Sequence, residues 1–271
     1  MVETKAPKPL IHLLKPWRFM CLGFLFSAIA GCNTAPQQDL TTEKPSASTS
    51  DAVEIYQPPK GGLTDELAPS FLTKFGKTQP KNEVIISTAM GDITIRLYHN
   101  TPLHRANFLF LTQQNYYTNT WFYRVSEGHV IQAGHTDESE TLKKRYAIGK
   151  YRIPAEIKEG NWHKYGAVAA ARSYKNNPHK LTDPFEFYIV LGKKYSAVQL
   201  NLLADKHNFN LSASQKELYS NQVGSPHLDG QHTVFGEVIS GMDVVEKISR
   251  VPVDEGEWPL DDIPIKVYVK P

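Results

Sequence analysis

The stretch Phe122-Tyr-Arg-Val-Ser-Glu-Gly-His-Val-Ile-Gln-Ala-Gly134 holds two β-patterned runs, Trp121 to Val125 and His129 to Ala133, separated by a short turn. Runs of the same kind lie on both sides. Upstream, Val84 to Thr88 and Asp92 to Leu97 form a hairpin across Ala89-Met-Gly91, with apolar residues on alternate positions of the second arm. Downstream come Gly166 to Ala171, Glu186 to Leu191, Thr233 to Ile239 and Ile265 to Val269. Eight short strands predict a mainly β chain closed as an antiparallel barrel.

Two helices are expected to plug the barrel ends. One runs from Pro102 to Asn115, with Thr101 as cap and Pro at the first helical position. The other runs from Met242 to Arg250, with Val244, Val245 and Ile248 on one face. Between Leu191 and Gly224 the strand pattern breaks. Two capping boxes appear there, Ser196-Ala-Val-Gln199 and Ser212-Ala-Ser-Gln215, predicting a helical insertion at about 192–223. It contains no cluster of convergent catalytic groups and reads as a surface elaboration.

The whole chain has 271 residues, 30 Lys+Arg against 28 Asp+Glu, and 41% hydrophobic residues. That near-neutral balance leaves no global basic field for nucleic acid, and the apolar fraction is too high for a disordered chain. One domain over residues 82–271 with extensions fits this length.

The extensions lie at the N-terminus. Lys5, Lys8, Lys15 and Arg18 stand against Glu3 alone, followed by the apolar run Phe19 to Ala30. That run is too short for a hydrocarbon core of ~30 Å and has the length of a signal-peptide hydrophobic region. It ends Ile29-Ala30-Gly31-Cys32, which resembles the bacterial lipobox. The resemblance implies that residues 1–31 are a lipoprotein signal peptide and that Cys32 receives the lipid. Removing the signal discards Cys21, so no pair remains for an internal disulfide. From Asn33 to about Lys81 the chain is rich in Thr, Ser, Pro and Gln and reads as a tether, within which Leu67 to Phe75 could dock on the domain. The implied location is a bacterial cell envelope, with the domain in the periplasm. Asn33, not the Asp that retains some lipoproteins at the inner membrane, favours the outer membrane.

With the strands in place, Phe122 to Gly134 resembles the cyclophilin signature, in which Phe-His-Arg-Val is followed after a short turn by Phe-x-x-Gln-Gly-Gly. Thr88 to Leu97, Asn107-Phe108, Gly166 to Arg172, Phe187-Tyr-Ile-Val190 and His227-Leu-Asp-Gly-Gln-His-Thr-Val-Phe-Gly236 match further family segments in order, so the likeness covers nearly all of 82–271 outside the insertion. It implies a peptidyl-prolyl cis-trans isomerase on an eight-stranded barrel with two capping helices. It also implies a monomer without cofactor or metal, whose partners are proline-containing polypeptides of the envelope.

By the same carry-over Arg124 is the catalytic residue. Gln132 bonds the substrate backbone or holds Arg124. Val130, Leu228 and Tyr188 line the proline pocket beside Phe122, Ala171 and Arg172 contact the peptide, and His232 sits at the pocket edge. The sequence departs from the family pattern at His129 for a usual Phe, His227 for Trp, Glu186 for Gln, Arg172 for Asn and Tyr123 for His. These changes make the pocket more polar and imply modest activity. Glu186 is a candidate partner for Arg124. Three histidines with one carboxylate also suit zinc, but no short-spaced pair fixes a chelate, and the reading stays with no metal. A histidine charging near neutrality would repel Arg124, which predicts higher activity at pH 8 than at pH 6. Two other classes remain open: a module that binds proline-containing segments with little turnover, and a structural envelope lipoprotein.

Overall fold

The computed structural model describes residues 56–271; the expected signal peptide, Cys32 and the first part of the expected tether lie outside them. In chain order the elements are β1 (Leu63–Thr64), α1 (Ala68–Lys77), β2 (Glu83–Thr88), β3 (Gly91–Leu97), α2 (Pro102–Gln113), β4 (Thr120–Ser126), β5 (Val130–His135), α3 (Ser139–Ile148), β6 (Gly149–Lys150), β7 (Ala167–Ala170), β8 (Phe187–Val190), α4 (Ala197–His207), α5 (Ala213–Asn221), β9 (Val234–Ser240), α6 (Met242–Ser249) and β10 (Pro264–Val269). A 3-10 turn, Pro226–Leu228, precedes β9.

All eight expected strands are present, in the order β10-β2-β3-β9-β7-β8-β5-β4, and β4 pairs back onto β10 to close the barrel. Closure removes the exposed edges that an open sheet would leave. Ile93, Ile95 and Leu97 of β3 point inward, as the alternation requires, and Phe108 of α2 meets Phe187 and Phe235 in the same core. The helix starts as expected, but Thr101 does not cap it. Its hydroxyl donates to the Tyr98 carbonyl, and the Glu156 carboxylate accepts from the Leu103 and His104 amides at 3.1 and 2.9 Å.

The tether does not extend to Lys81. Ala68, Leu72 and Phe75, spaced four and three residues apart, form the buried face of α1, and Phe71 and Phe75 meet Phe110 of α2 edge-on. This is the docking expected of Leu67 to Phe75, made by a helix whose period the Pro-rich surroundings obscured. Helix α3, between β5 and β6, was not expected.

The insertion is helical as its capping boxes predict. Ser196 and Ser212 each accept from the backbone of a Gln three residues on, and that Gln reaches back to the serine amide. Its two ends are pinned together: Lys193 and Gly224 exchange backbone hydrogen bonds of 2.9 and 3.0 Å. Only glycine fits this crossing, because a Cβ on Gly192 would lie 2.4 Å from Gly224.

Candidate active site

Period-two alternation divides three strands between two cores. Ile131 and Ala133 of β5, Val168 and Ala170 of β7, and Phe187 and Ile189 of β8 enter the barrel interior. Their neighbours Val130, Ala167, Ala169, Tyr188 and Val190 face outward and pack with Leu228 and Val234 in a second, smaller cluster. On that cluster sits a cavity of about 290 Å³, lined by Arg124, His129, Val130, Gln132, Ala171, Arg172, Tyr174, Tyr188, Leu228 and His232.

Nine of the sequence-derived site residues therefore share one cavity, while Phe122, Glu186 and His227 do not line it. Phe122 is in the barrel interior. The ring of His227 stacks on His129 at 5.4 Å and on His207 of α4 at 5.3 Å.

Two irregularities in the β4–β5 pair aim Arg124. Trp121 faces His135 and Phe122 faces Ala133, which leaves Gly134 as an extra residue on β5. Gly134 has φ +103°, and a Cβ there would lie 2.1 Å from the Phe185 carbonyl oxygen. Arg124 then faces Gln132, which leaves Tyr123 as an extra residue on β4. Tyr123 and Arg124 thus both stand opposite Gln132.

Gln132 divides from Arg124 as a result. Its amide nitrogen donates to the Tyr123 hydroxyl, which donates to Glu186 at 2.8 Å. The suggested Glu186–Arg124 pair is not formed, because Glu186 is engaged on this Tyr123 side. A different carboxylate takes the arginine: Arg124 Nε donates to Glu257 at 2.7 Å. Glu257 also accepts from the Ser126 hydroxyl at 2.6 Å, and its own carbonyl accepts from the Val125 amide at 2.8 Å. The Ser126 hydrogen bond, with the Arg124 charge, holds the Glu257 carboxyl below the usual range. Both side chains are more than a third exposed. The pair therefore orients the guanidinium more than it stabilises the fold. Among the described residues, the two terminal nitrogens of Arg124 make no hydrogen bond.

At the opposite rim, His232 donates from Nδ1 to the Ala170 carbonyl at 3.1 Å and accepts from the Tyr174 hydroxyl at 2.7 Å. Arg172 lies over the Tyr174 ring at 4.1 Å. Burial pushes His232 and His227 down to about 4 and also lowers His129. Lowered this far, His227 and His232 are expected to charge in the acid range and not between pH 6 and 8, which counts against the rise in activity expected across that interval. Neither Glu257 nor Tyr174 belongs to a segment that carried the resemblance. Only the folded chain brings the Tyr174 loop to the cavity and the Glu257 loop to Arg124.

A family model, "Cyclophilin type peptidyl-prolyl cis-trans isomerase/CLD", matches residues 83–269. "Peptidyl-prolyl cis-trans isomerase-like 2" of Rhizopus delemar is 31% identical over 227 residues, covering 83% of this chain and 35% of that protein. A Staphylococcus aureus chain named for peptidyl-prolyl cis-trans isomerase activity is 30% identical over 189 residues, covering 69% of this chain and 91% of its own length. In fold, the chain is similar to a Cryptosporidium parvum cyclophilin-type isomerase crystallised with the dipeptide Ala-Pro. The TM-score is 0.50 at 22% identity, over 70% of this chain and 99% of that one. On the family match and the Staphylococcus relative together, this chain belongs to the cyclophilin-type peptidyl-prolyl cis-trans isomerases.

Proposed function

We propose that the chain catalyses isomerisation of X-Pro bonds in proteins of the bacterial cell envelope, anchored by lipid on Cys32, with Arg124 stabilising the twisted imide. An amide rotation barrier of roughly 18–20 kcal/mol comes from resonance. A guanidinium N–H aimed at the prolyl nitrogen gains most when that nitrogen pyramidalises, so it favours the half-rotated bond over both planar forms. Val130, Tyr188 and Leu228 supply the apolar wall for the prolyl ring, Gln132 bonds the substrate backbone, and Ala171 and Arg172 flank the peptide.

One observation carries this reading. Arg124 stands at the rim of a cavity with an apolar floor, its Nε held by Glu257 and its terminal nitrogens uncommitted among the described residues. A coupled isomerisation assay on wild type and Arg124→Ala tests it. Loss of about 10²–10³ in kcat/KM is expected from removing a transition-state donor; equal rates would remove Arg124 from the chemistry. Cys32→Ala should release the protein from membranes, and persistent attachment would remove the anchor.

A second reading is a module that binds proline-containing segments with little turnover. It is supported by the polar wall, where His129 stands in the cavity and Gln132 is tied to Tyr123. Proline peptides that shift cavity resonances without being turned over would favour it.

A further inference from the structure

The helical insertion reaches the proline cavity through a buried hydrogen-bonded chain. Gln215 and Tyr219 are one helical turn apart on α5, and both face inward. The Gln215 amide donates to Asp229 Oδ2 at 2.8 Å, and the Tyr219 hydroxyl donates to the same oxygen at 2.7 Å. On the other side, Asp229 Oδ1 accepts from the His163 backbone amide at 2.9 Å and from His163 Nδ1 at 2.8 Å. His163 Nε2 in turn meets the Tyr188 hydroxyl at 3.0 Å. The side chains of His163 and Asp229 are only 1% and 3% exposed.

Each link follows from the preceding one. A buried carboxylate needs donors at both oxygens, and this one has four. A carboxylate facing Nδ1 places the ring proton there, so in the neutral ring Nε2 accepts the Tyr188 hydroxyl proton. The Tyr188 ring, whose hydroxyl is thereby held, is a wall of the cavity. A phenylalanine-like wall could slide or tilt without losing a hydrogen bond, but this one cannot.

We propose that Gln215 and Tyr219 are positioning residues for the proline pocket, acting through Asp229 and His163 on the Tyr188 hydroxyl. The proposal rests on the cavity being the proline site. The insertion is then part of the pocket's construction, and it sets how well the prolyl ring is held, with little effect on the rotation itself.

The test uses the full chain and Tyr219→Phe, which removes one donor and keeps the ring. Three quantities are read: the ring resonances of His163 and Tyr188, Kd for an X-Pro peptide, and KM against kcat. The His163 and Tyr188 ring resonances should shift, and Kd and KM should rise about three- to tenfold, the worth of one hydrogen bond. The kcat should stay within about twofold. Glu217→Gln, on the solvent face of the same helix, should change none of these. A folded Tyr219→Phe with unmoved His163 and Tyr188 resonances, or with unchanged Kd, overturns the proposal. Should the wild type turn over no peptide, the catalytic reading falls alone, because the ring resonances still decide this one.

Discussion

The molecule contains two buried histidines wired alike and placed differently. His104 Nδ1 meets Glu156 at 2.7 Å, its backbone amide donates to the same carboxylate at 2.9 Å, and Nε2 meets the Thr182 hydroxyl at 2.9 Å. His163 makes the same three contacts with Asp229 and Tyr188, at 2.8, 2.9 and 3.0 Å. The first set caps α2 and ends on Thr182, which is fully buried and exchanges backbone hydrogen bonds with Ile153. The second ends on a wall of the cavity. A carboxylate–histidine–hydroxyl series is thus no catalytic signature by itself; where its last hydroxyl lies decides what it can affect.

The comparison breaks most visibly at its carboxylates. Glu156→Ala and Asp229→Ala should each destabilise the fold by about 1–3 kcal/mol in denaturant unfolding, because each leaves buried donors without an acceptor. Only the Asp229 variant should also raise KM. A KM rise of similar size in Glu156→Ala would erase the distinction. Arg124→Ala supplies the opposite extreme. It should lose about 10²–10³ in kcat/KM, while its unfolding free energy changes by less than about 1 kcal/mol, as for an exposed pair.

Acid should separate stability from activity near neutrality. His227 and His232 sit at about 4 in the folded chain against about 6.5 in an unfolded one. Below about pH 6.5 the unfolded chain binds protons that the native chain refuses, so stability falls as pH drops from about 6.5 to about 4 and is unaffected by these groups above that window. Thermal unfolding across pH 4–8 checks this, and isomerase activity should be nearly flat from pH 6 to 8. A steep activity rise across that range would mean that a cavity histidine titrates near neutrality after all. The smallest effect belongs to Glu257→Gln. It should lower kcat only about three- to tenfold, by loosening the guanidinium, with no change in unfolding midpoint. A variant matching Arg124→Ala would make the carboxylate part of the chemistry itself.

The barrel was legible because alternation is a local property. Asp92 to Leu97 shows it in its own residues, Glu186 to Leu191 is a short apolar run of strand length, and the capping boxes at Ser196 and Ser212 state where helices begin. Helix α1 was obscured by its Pro- and Ser-rich surroundings, although Ala68, Leu72 and Phe75 carry the period. Within the site, Arg124, Val130, Gln132 and Leu228 were readable from ordered motifs. The partner of Arg124 was not: Glu186 is near it in the strand order, yet Glu257, 133 residues away along the chain, makes the bond.

From the amino-acid order alone came the strands, the two helices, the insertion and nine of the ten cavity residues, all set by periodicity or by short motifs. Tertiary structure alone decided which carboxylate orients Arg124, that Gln132 turns to Tyr123, and that the insertion bears on Tyr188. Those choices depend on bulges at Tyr123 and Gly134 and on loops meeting across the barrel, and a contact between distant segments leaves no periodic trace in either one.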